Sequence, residues 1–312
     1  RRASGCLLSS MNTQNETERP SFVESRMCCR VCGQGSVTTA KRVARVSSNI
    51  RKWSHHISTV WECSHCGSLC SLERIDLEPF YRNYLFHERR EDFVARLMSK
   101  AYVRRMMKKG LKRDHSILDF GCGSGSLLAS FKRLGFESCA GFDPYSTRFS
   151  DQNVLGRRYD WVVAQDVIEH VEDPFELLRE LTQYVVPGGR ICIGTPRAEG
   201  LDLNDVGRSI HSLHQPWHLF ILSERGLRDL AARCRLTVES VDYRSVTDLW
   251  VPFINWRFIT SYVFRLDNRI DSAFEQIHVG RIISSPRLWL DGLFGAIFPL
   301  KTDMIVILRK EG

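Results

Sequence analysis

Ile117-Leu118-Asp119-Phe120-Gly121-Cys122-Gly123-Ser124-Gly125 decides the fold: an apolar run carrying one acid, then glycines at alternate positions, then Ser126-Leu127-Leu128. It predicts a short buried strand that turns sharply into a helix. Glycine tolerates positive φ and lets a ligand approach the backbone, while the first N–H groups of the helix face whatever is bound. Such a turn suits a nucleotide-like cofactor. A dinucleotide fold requires G-x-G-x-x-G, but position 126 is serine, so the third glycine falls one residue early.

Downstream, Ser138 to Phe142 predicts a second strand ending in Asp143-Pro144. A carboxylate at that tip can accept hydrogen bonds from both hydroxyls of a ribose. A third strongly patterned stretch runs from Asp160 through Gln165-Asp166-Val167-Ile168-Glu169-His170 to Asp173-Pro174. Gln165 and Asp166 fall at the carboxyl end of its strand, where open α/β sheets bind ligands.

The pattern hh-D-x-G-x-G-x-G, together with Glu169-His170-Val171-Glu172-Asp173-Pro174, resembles the class I S-adenosylmethionine (SAM)-dependent methyltransferases. Within them it is most similar to bacterial quinone, sugar and small-molecule methyltransferases. The resemblance implies an α/β fold with a doubly wound, Rossmann-like sheet. Asp119, Gly121, Cys122, Gly123 and Gly125 would frame SAM, Asp143 would grip its ribose, and Gln165 and Asp166 would border its methionine end. Sixteen residues separate Asp143 from Asp160, where the family fits a helix, a third strand and an adenine-contacting acid. Asp151 and Asn153 are the polar candidates in this shortened stretch.

On the acceptor side, His170 could take a proton from a hydroxyl near neutral pH. Glu169 and His170 could also hold a divalent ion, or simply fix the loop. His211-Ser212-Leu213-His214-Gln215-Pro216-Trp217-His218 is a second candidate, with His214 as the alternative base. The expected elements are a helix from Phe175 to Val186 ended by Pro187-Gly188-Gly189, a buried strand from Arg190 to Gly194, a helix from Ser223 to Cys234, and strands at Leu236–Tyr243 and Met304–Leu308. The resemblance implies that the last strand runs antiparallel. Between those two strands the family has a short turn, whereas residues 245–301 are inserted here. The insertion mixes aromatic and basic residues and predicts amphipathic helices. Insertions at such a mouth shape pockets, so a lid over an apolar or bulky acceptor is expected, with a packing or dimer face as the alternative.

The N-terminal region carries Cys29-Arg30-Val31-Cys32-Gly33 and Cys63-Ser64-His65-Cys66-Gly67. Two C-x-x-C-G turns supply four thiolates to one tetrahedral ion, and an all-sulfur set is a closed structural zinc site. Cys29, Cys32, Cys63 and Cys66 are the ligands, with Cys28 and Cys70 as spare thiols. Ser36–Val46 and Ile57–Glu62 are β-prone. The chain divides into a disordered tail (1–26), a zinc ribbon (27–78), a helical connector (79–113) and a methyltransferase domain (114–312). Apolar residues of the connector, Phe93, Val94, Leu97, Met98, Ala101 and Tyr102, recur at helical spacing, which favours core packing over a membrane-surface role.

The 312 residues are 43% hydrophobic and 26% charged, with a net charge of +8. Residues 82–113 hold 11 Lys or Arg against three Glu or Asp. The cysteines number eleven, an odd count, and those near the N-terminus include two C-x-x-C pairs, which argues for metal binding in a reducing, cytoplasmic compartment. No apolar run is long enough to span a bilayer, which leaves room for peripheral membrane contact. SAM-dependent O- or C-methylation of a small-molecule, sugar or lipid-linked acceptor is the leading expectation. An RNA methyltransferase gripping phosphates with ribbon and connector is the runner-up, and a non-catalytic zinc-ribbon binding protein with a degenerate methyltransferase fold is the third reading.

Overall fold

The structure, a computed structural model, describes residues 27–73 and 93–312. The predicted tail and the start of the connector, including Pro79, Phe80, Tyr81 and Tyr84, lie outside the described residues.

Two sheets organise the molecule. The first contains β1 (Val43–Ser47), β2 (Ile57–Glu62) and β3 (Leu69–Ser71), paired antiparallel in that order. Only the end of the β-prone stretch from Ser36 becomes strand. Ser36 instead accepts from the Thr38 N–H and caps a 3-10 turn, Val37–Thr39, since a serine hydroxyl offers the backbone a local alternative to pairing.

The second sheet has β4 (Ile117–Phe120), β5 (Cys139–Phe142), β6 (Tyr159–Gln165), β7 (Val185–Pro196), β9 (Leu236–Arg244) and β10 (Asp303–Lys310), in the order β5-β4-β6-β7-β10-β9. β5, β4, β6 and β7 are parallel, and β10 is antiparallel to both β7 and β9, as expected. Parallel strands covered on both faces read as unbroken apolar runs. Accordingly all of β4 and Trp161 to Ala164 of β6 are buried. The shortened stretch after Asp143 forms only a 3-10 turn, Gln152–Gly156, so β5 is an edge of this sheet.

Helices cover both faces: α1 (Phe93–Lys108), α2 (Ser126–Arg133), α3 (Pro174–Tyr184), α4 (Val206–Leu213) and α5 (Glu224–Arg233). α1 buries Tyr102, Val103 and Met106 with Ile117, Trp161 and Ile305, so the described part of the connector packs on the core. Its Arg105 pairs with Asp248, and Lys109 lies 2.9 Å from Asp242. α3 starts at Pro174, where Asp173 accepts from the Phe175 and Glu176 N–H groups. Proline at the first helical position and a carboxylate cap are both favoured there.

The Pro187-Gly188-Gly189 segment does not end that helix. The helix stops at Tyr184, and Pro187 to Gly189 lie inside β7, where the pairing with β6 shifts register between Tyr159 and Trp161. Gly188 has φ 76°, a left-handed conformation that an irregularity in a strand can use as readily as a helix end.

β8 (Phe220–Ile221) ties the two sheets together. It lies within the second half of the chain yet pairs antiparallel with β3, completing the ribbon sheet. Ser223, the cap of α5, donates to the Cys66 carbonyl, and its own N–H donates to Ser68 Oγ at 3.0 Å. The ribbon is therefore built into the larger fold.

The insertion folds as α6 (Trp256–Phe264), α7 (Val279–Ile283) and α8 (Pro286–Phe294). Trp256 and Ile270 pack with Ile50 of the ribbon and with Trp217. Arg51 pairs with Asp267 at 2.8 Å and also with Glu275.

Candidate active site

β4 delivers Asp119 into the interior, and the chain then turns through three left-handed glycines: Gly121 (φ 72°), Gly123 (φ 52°) and Gly125 (φ 80°). They serve different purposes. A Cβ on Gly121 would stand 2.4 Å from Val167 Cγ2, and one on Gly125 would stand 2.6 Å from the Phe149 ring. A Cβ on Gly123 would meet nothing within 4 Å. Two glycines thus admit neighbouring side chains, while Gly123 alone of the three keeps open space at the backbone.

Asp143, at the tip of β5, faces this turn. Its Oδ2 accepts from the Gly123 N–H at 2.9 Å and its Oδ1 from the Tyr145 N–H at 2.9 Å. Asp119 is 2% exposed, and its Oδ2 has no hydrogen-bond partner among the described residues. Burial, reinforced by the Asp143 charge, pushes its carboxyl up to about 7. Burial likewise pushes the Cys122 thiol well above its ordinary range.

At the end of β6, Gln165 Nε2 donates to Asp166 Oδ1 at 2.7 Å while Gln165 Oε1 is unpartnered. Asp166 has φ 54°, an uncommon conformation for a residue with a side chain and one found where a site constrains the backbone. Asp151 and Asn153 are exposed, and Asp151 Oδ1 accepts from the Asn153 N–H at 2.9 Å. Nothing in this geometry directs them to the glycine turn.

The fit to SAM follows from these atoms. Asp143 accepts from the glycine left open to approach, and the ends of β4 and β6 add two orphaned buried oxygens, Asp119 Oδ2 and Gln165 Oε1, a donor set that suits a ligand with a cationic amino-acid end and a ribose diol. Asp119, Gln165 and Asp166 would hold the former, and Asp143 the latter.

Glu169 is fully buried; its Oε2 accepts from Thr195 Oγ1 at 3.1 Å and its Oε1 is unpartnered. Burial, then the Asp166 charge, pushes its carboxyl far above the usual range. His170 Nδ1 contacts the Trp217 carbonyl at 3.1 Å, and His218 Nδ1 contacts the Ser212 carbonyl at 2.8 Å. A carbonyl partner assigns the proton to Nδ1 in each ring and the lone pair to Nε2. The two rings meet edge to face at 4.9 Å. Ligand atoms of Glu169, His170 and His218 all lie within 4.8 Å of one another, close enough to share a cation.

His214 stands behind this group. Its Nδ1 contacts Asn49 Oδ1 of the ribbon at 2.8 Å, its ring stacks on Trp217, and burial followed by the His170 charge depresses it to about 3. His170 is half-buried, whereas His214 is 5% exposed. His218, which the sequence offered only as one of three histidines on a loop, is brought to Glu169 and His170 by the turn containing the cis Gln215–Pro216 peptide. Leu219 N–H donates to the Glu169 carbonyl at 2.8 Å across that junction.

Sγ atoms of Cys29 and Cys66 are 3.7 Å apart, and those of Cys32 and Cys63 are 3.6 Å apart. All four lie within 4.8 Å of one another. Tetrahedral zinc with bonds near 2.3 Å places its sulfurs about 3.8 Å apart, so the donor set fits zinc. Cys70 Sγ approaches Cys29 Sγ at 3.8 Å from β3.

The fold and the turn define a class I methyltransferase, and the comparisons agree. The Methyltransferase domain family matches residues 86–241, half of the 312 residues, and the chain belongs to that family. It is 26% identical over 132 residues to a ubiquinone biosynthesis O-methyltransferase of Dinoroseobacter shibae, covering 36% of this chain and 53% of that protein. A ubiquinone biosynthesis O-methyltransferase of Parvibaculum lavamentivorans is 27% identical over 172 residues, covering 44% and 66%. The chain spans about half the length of the first of these curated relatives. Among solved structures, a SAM-dependent methyltransferase of Archaeoglobus fulgidus is similar at 22% identity and a TM-score of 0.42, covering 69% of this chain and 94% of that one.

Asp303 provides a pH test of this end of the sheet. It is buried at the start of β10, and burial pushes it up to about 7, opposed by Arg244 and Thr302 and reinforced by Asp166 and Asp248. A carboxyl raised on folding contributes stability below its unfolded pKa and loses it as pH rises through the folded one. Asp303→Asn should therefore match the wild type near pH 4 and exceed it by roughly 2–4 kcal/mol at pH 8. Urea midpoints at the two pH values check this; an equal offset at both would refute it.

Proposed function

We propose that the protein transfers the methyl group of SAM to a hydroxyl of a small, largely apolar acceptor. The observation that carries this is the open backbone at Gly123 beside Asp143, with the buried Glu169 and His218 and the half-buried His170 grouped beyond the end of β6. The O-methyltransferase activity named for the relatives supports a hydroxyl acceptor. SAM, when bound, supplies an electrophilic methyl on a sulfonium.

The residues then have three tasks. Asp119, Asp143, Gln165 and Asp166 fix the donor, because alignment of acceptor oxygen, methyl carbon and sulfur is the main source of acceleration in such a displacement. His170 Nε2 takes the hydroxyl proton as the new C–O bond forms and the C–S bond breaks. Glu169, held by Thr195, and His218 keep that imidazole oriented. The four-cysteine site would hold zinc as a closed structural element without a part in this chemistry.

Calorimetric titration with S-adenosylhomocysteine tests the donor site. We expect binding by the parent protein and a loss of at least about tenfold in Asp143→Ala, in which the Gly123 N–H and the ribose lose one shared partner. Absence of binding by the parent, or unchanged binding by the variant, would remove this reading. For the acceptor step, His170→Gln should lower turnover while S-adenosylhomocysteine binding is kept.

A further inference from the structure

We propose that the outward face of α7 and α8 docks on an anionic lipid surface. This rests on the insertion alone and not on the identity of the methyl acceptor. Among the described residues seventeen large apolar side chains are exposed, and nine of them fall between residues 277 and 298. Soluble surfaces scatter such groups singly, so a concentration of them marks an interaction site.

Helix geometry puts them together. In α8 the residues turned toward the protein are Leu288, Asp291 and Gly292, spaced i, i+3, i+4. Leu290, Leu293 and Phe294 have the same spacing on the other side and are 57%, 45% and 48% exposed. The chain just beyond the helix continues this face with Ile297 and Phe298, 52% and 68% exposed. In α7, Ile283 is likewise exposed while Ile282 packs inward against Phe258 and Leu288. Both helices thus carry apolar residues on the outer side as well as on the inner one.

Charge chooses the occupant. Asp291 is the one acid between residues 276 and 301, and it is buried, accepting from Ser261 Oγ at 2.7 Å and Arg287 Nε at 2.9 Å. Arg287 is thus paired, while Arg281 and Lys301 are exposed on the same segment, which carries no exposed acid. A second copy of the chain meeting this face about a twofold axis would bring the same cations together without acids to offset them. A bilayer with anionic headgroups offers both hydrocarbon for the apolar side chains and negative charge for the cations. No helix among the described residues is long and apolar enough to cross a membrane, so the element lies on the surface. At nine residues α8 extends about 13 Å, short enough to rest in the headgroup layer.

The test is flotation of the full zinc-loaded chain with vesicles of phosphatidylcholine alone and of phosphatidylcholine mixed equally with phosphatidylglycerol. We expect association with the mixed vesicles, weakened by salt. Leu293→Ser with Phe298→Ser should reduce it by at least about tenfold, and so should Arg281→Glu with Lys301→Glu, because each cation near such a surface contributes about a factor of five. All four side chains are exposed, so the variants keep the fold, which circular dichroism and S-adenosylhomocysteine binding would verify. No flotation with mixed vesicles overturns the proposal. So does a concentration-dependent dimer in sedimentation velocity that Leu293→Ser with Phe298→Ser abolishes while lipid binding is unchanged.

Discussion

Gly123→Ala should fold nearly as well as the parent yet bind S-adenosylhomocysteine at least about thirtyfold more weakly, a difference of roughly 2 kcal/mol. An alanine at φ 52° costs about 1–2 kcal/mol of backbone strain, and no protein atom opposes its methyl group. The methyl would occupy space that a ligand needs to reach the backbone. Gly121→Ala makes the contrast: its Cβ meets Val167 Cγ2 at 2.4 Å, at φ 72°. That variant should lose about 3–5 kcal/mol of stability through combined strain and overpacking. Urea denaturation and calorimetry separate the two effects. If Gly123→Ala binds as tightly as the parent, the ligand does not pass over this turn.

Cys63→Ser should have the largest effect on the fold. Structural zinc sites carry an apparent ~10–16 kcal/mol of binding free energy, which a ribbon of this size converts into folding. Because β3 pairs with β8, the loss should not stop at the ribbon. The Ser71 N–H donates to the Leu219 carbonyl at 2.8 Å, and the Leu219 N–H donates to the Glu169 carbonyl at 2.8 Å. Hydrogen exchange should therefore accelerate at 167–171 and 217–223 as well as at 57–71, while β4 to β6 stay protected. Zinc removal by a strong chelator should reproduce the pattern, with metal content measured in parallel. Unchanged exchange at 167–171 would show the two regions to be independent.

These two experiments address parts that were legible in the sequence to different degrees. The glycine turn, Asp119, Asp143 and the end of β6 could be read because each is specified locally, by spacing within a few residues and by one kind of backbone demand. The cysteine knuckles were legible for the same reason, since two thiolates per turn are meaningful only as half of a tetrahedron. Pro187-Gly188-Gly189 is ambiguous in sequence because the same residues that stop a helix also permit an irregular strand. β8 leaves no local signal: two residues give no alternation, and its partner strand lies in another part of the chain. His218 could be listed but not placed, because its meeting with Glu169 depends on that unseen pairing. For the insertion, composition predicts amphipathic helices, whereas the side of α8 that meets the protein depends on tertiary partners such as Ser261 with Asp291.

The β3–β8 pairing also sets a clock for the growing chain. Cys70 and its partner Phe220 are 150 positions apart, which at ribosomal rates of about 5–20 residues per second is roughly 8–30 s of synthesis. All four thiols of the knuckles are made before that interval begins, so they can capture their ion while the ribbon sheet still shows an unpaired edge. Unpaired edges invite association with other chains. Early metal capture and late arrival of the closing strand would make the nascent protein most vulnerable in that window, and a slow-translating stretch between the two would lengthen it.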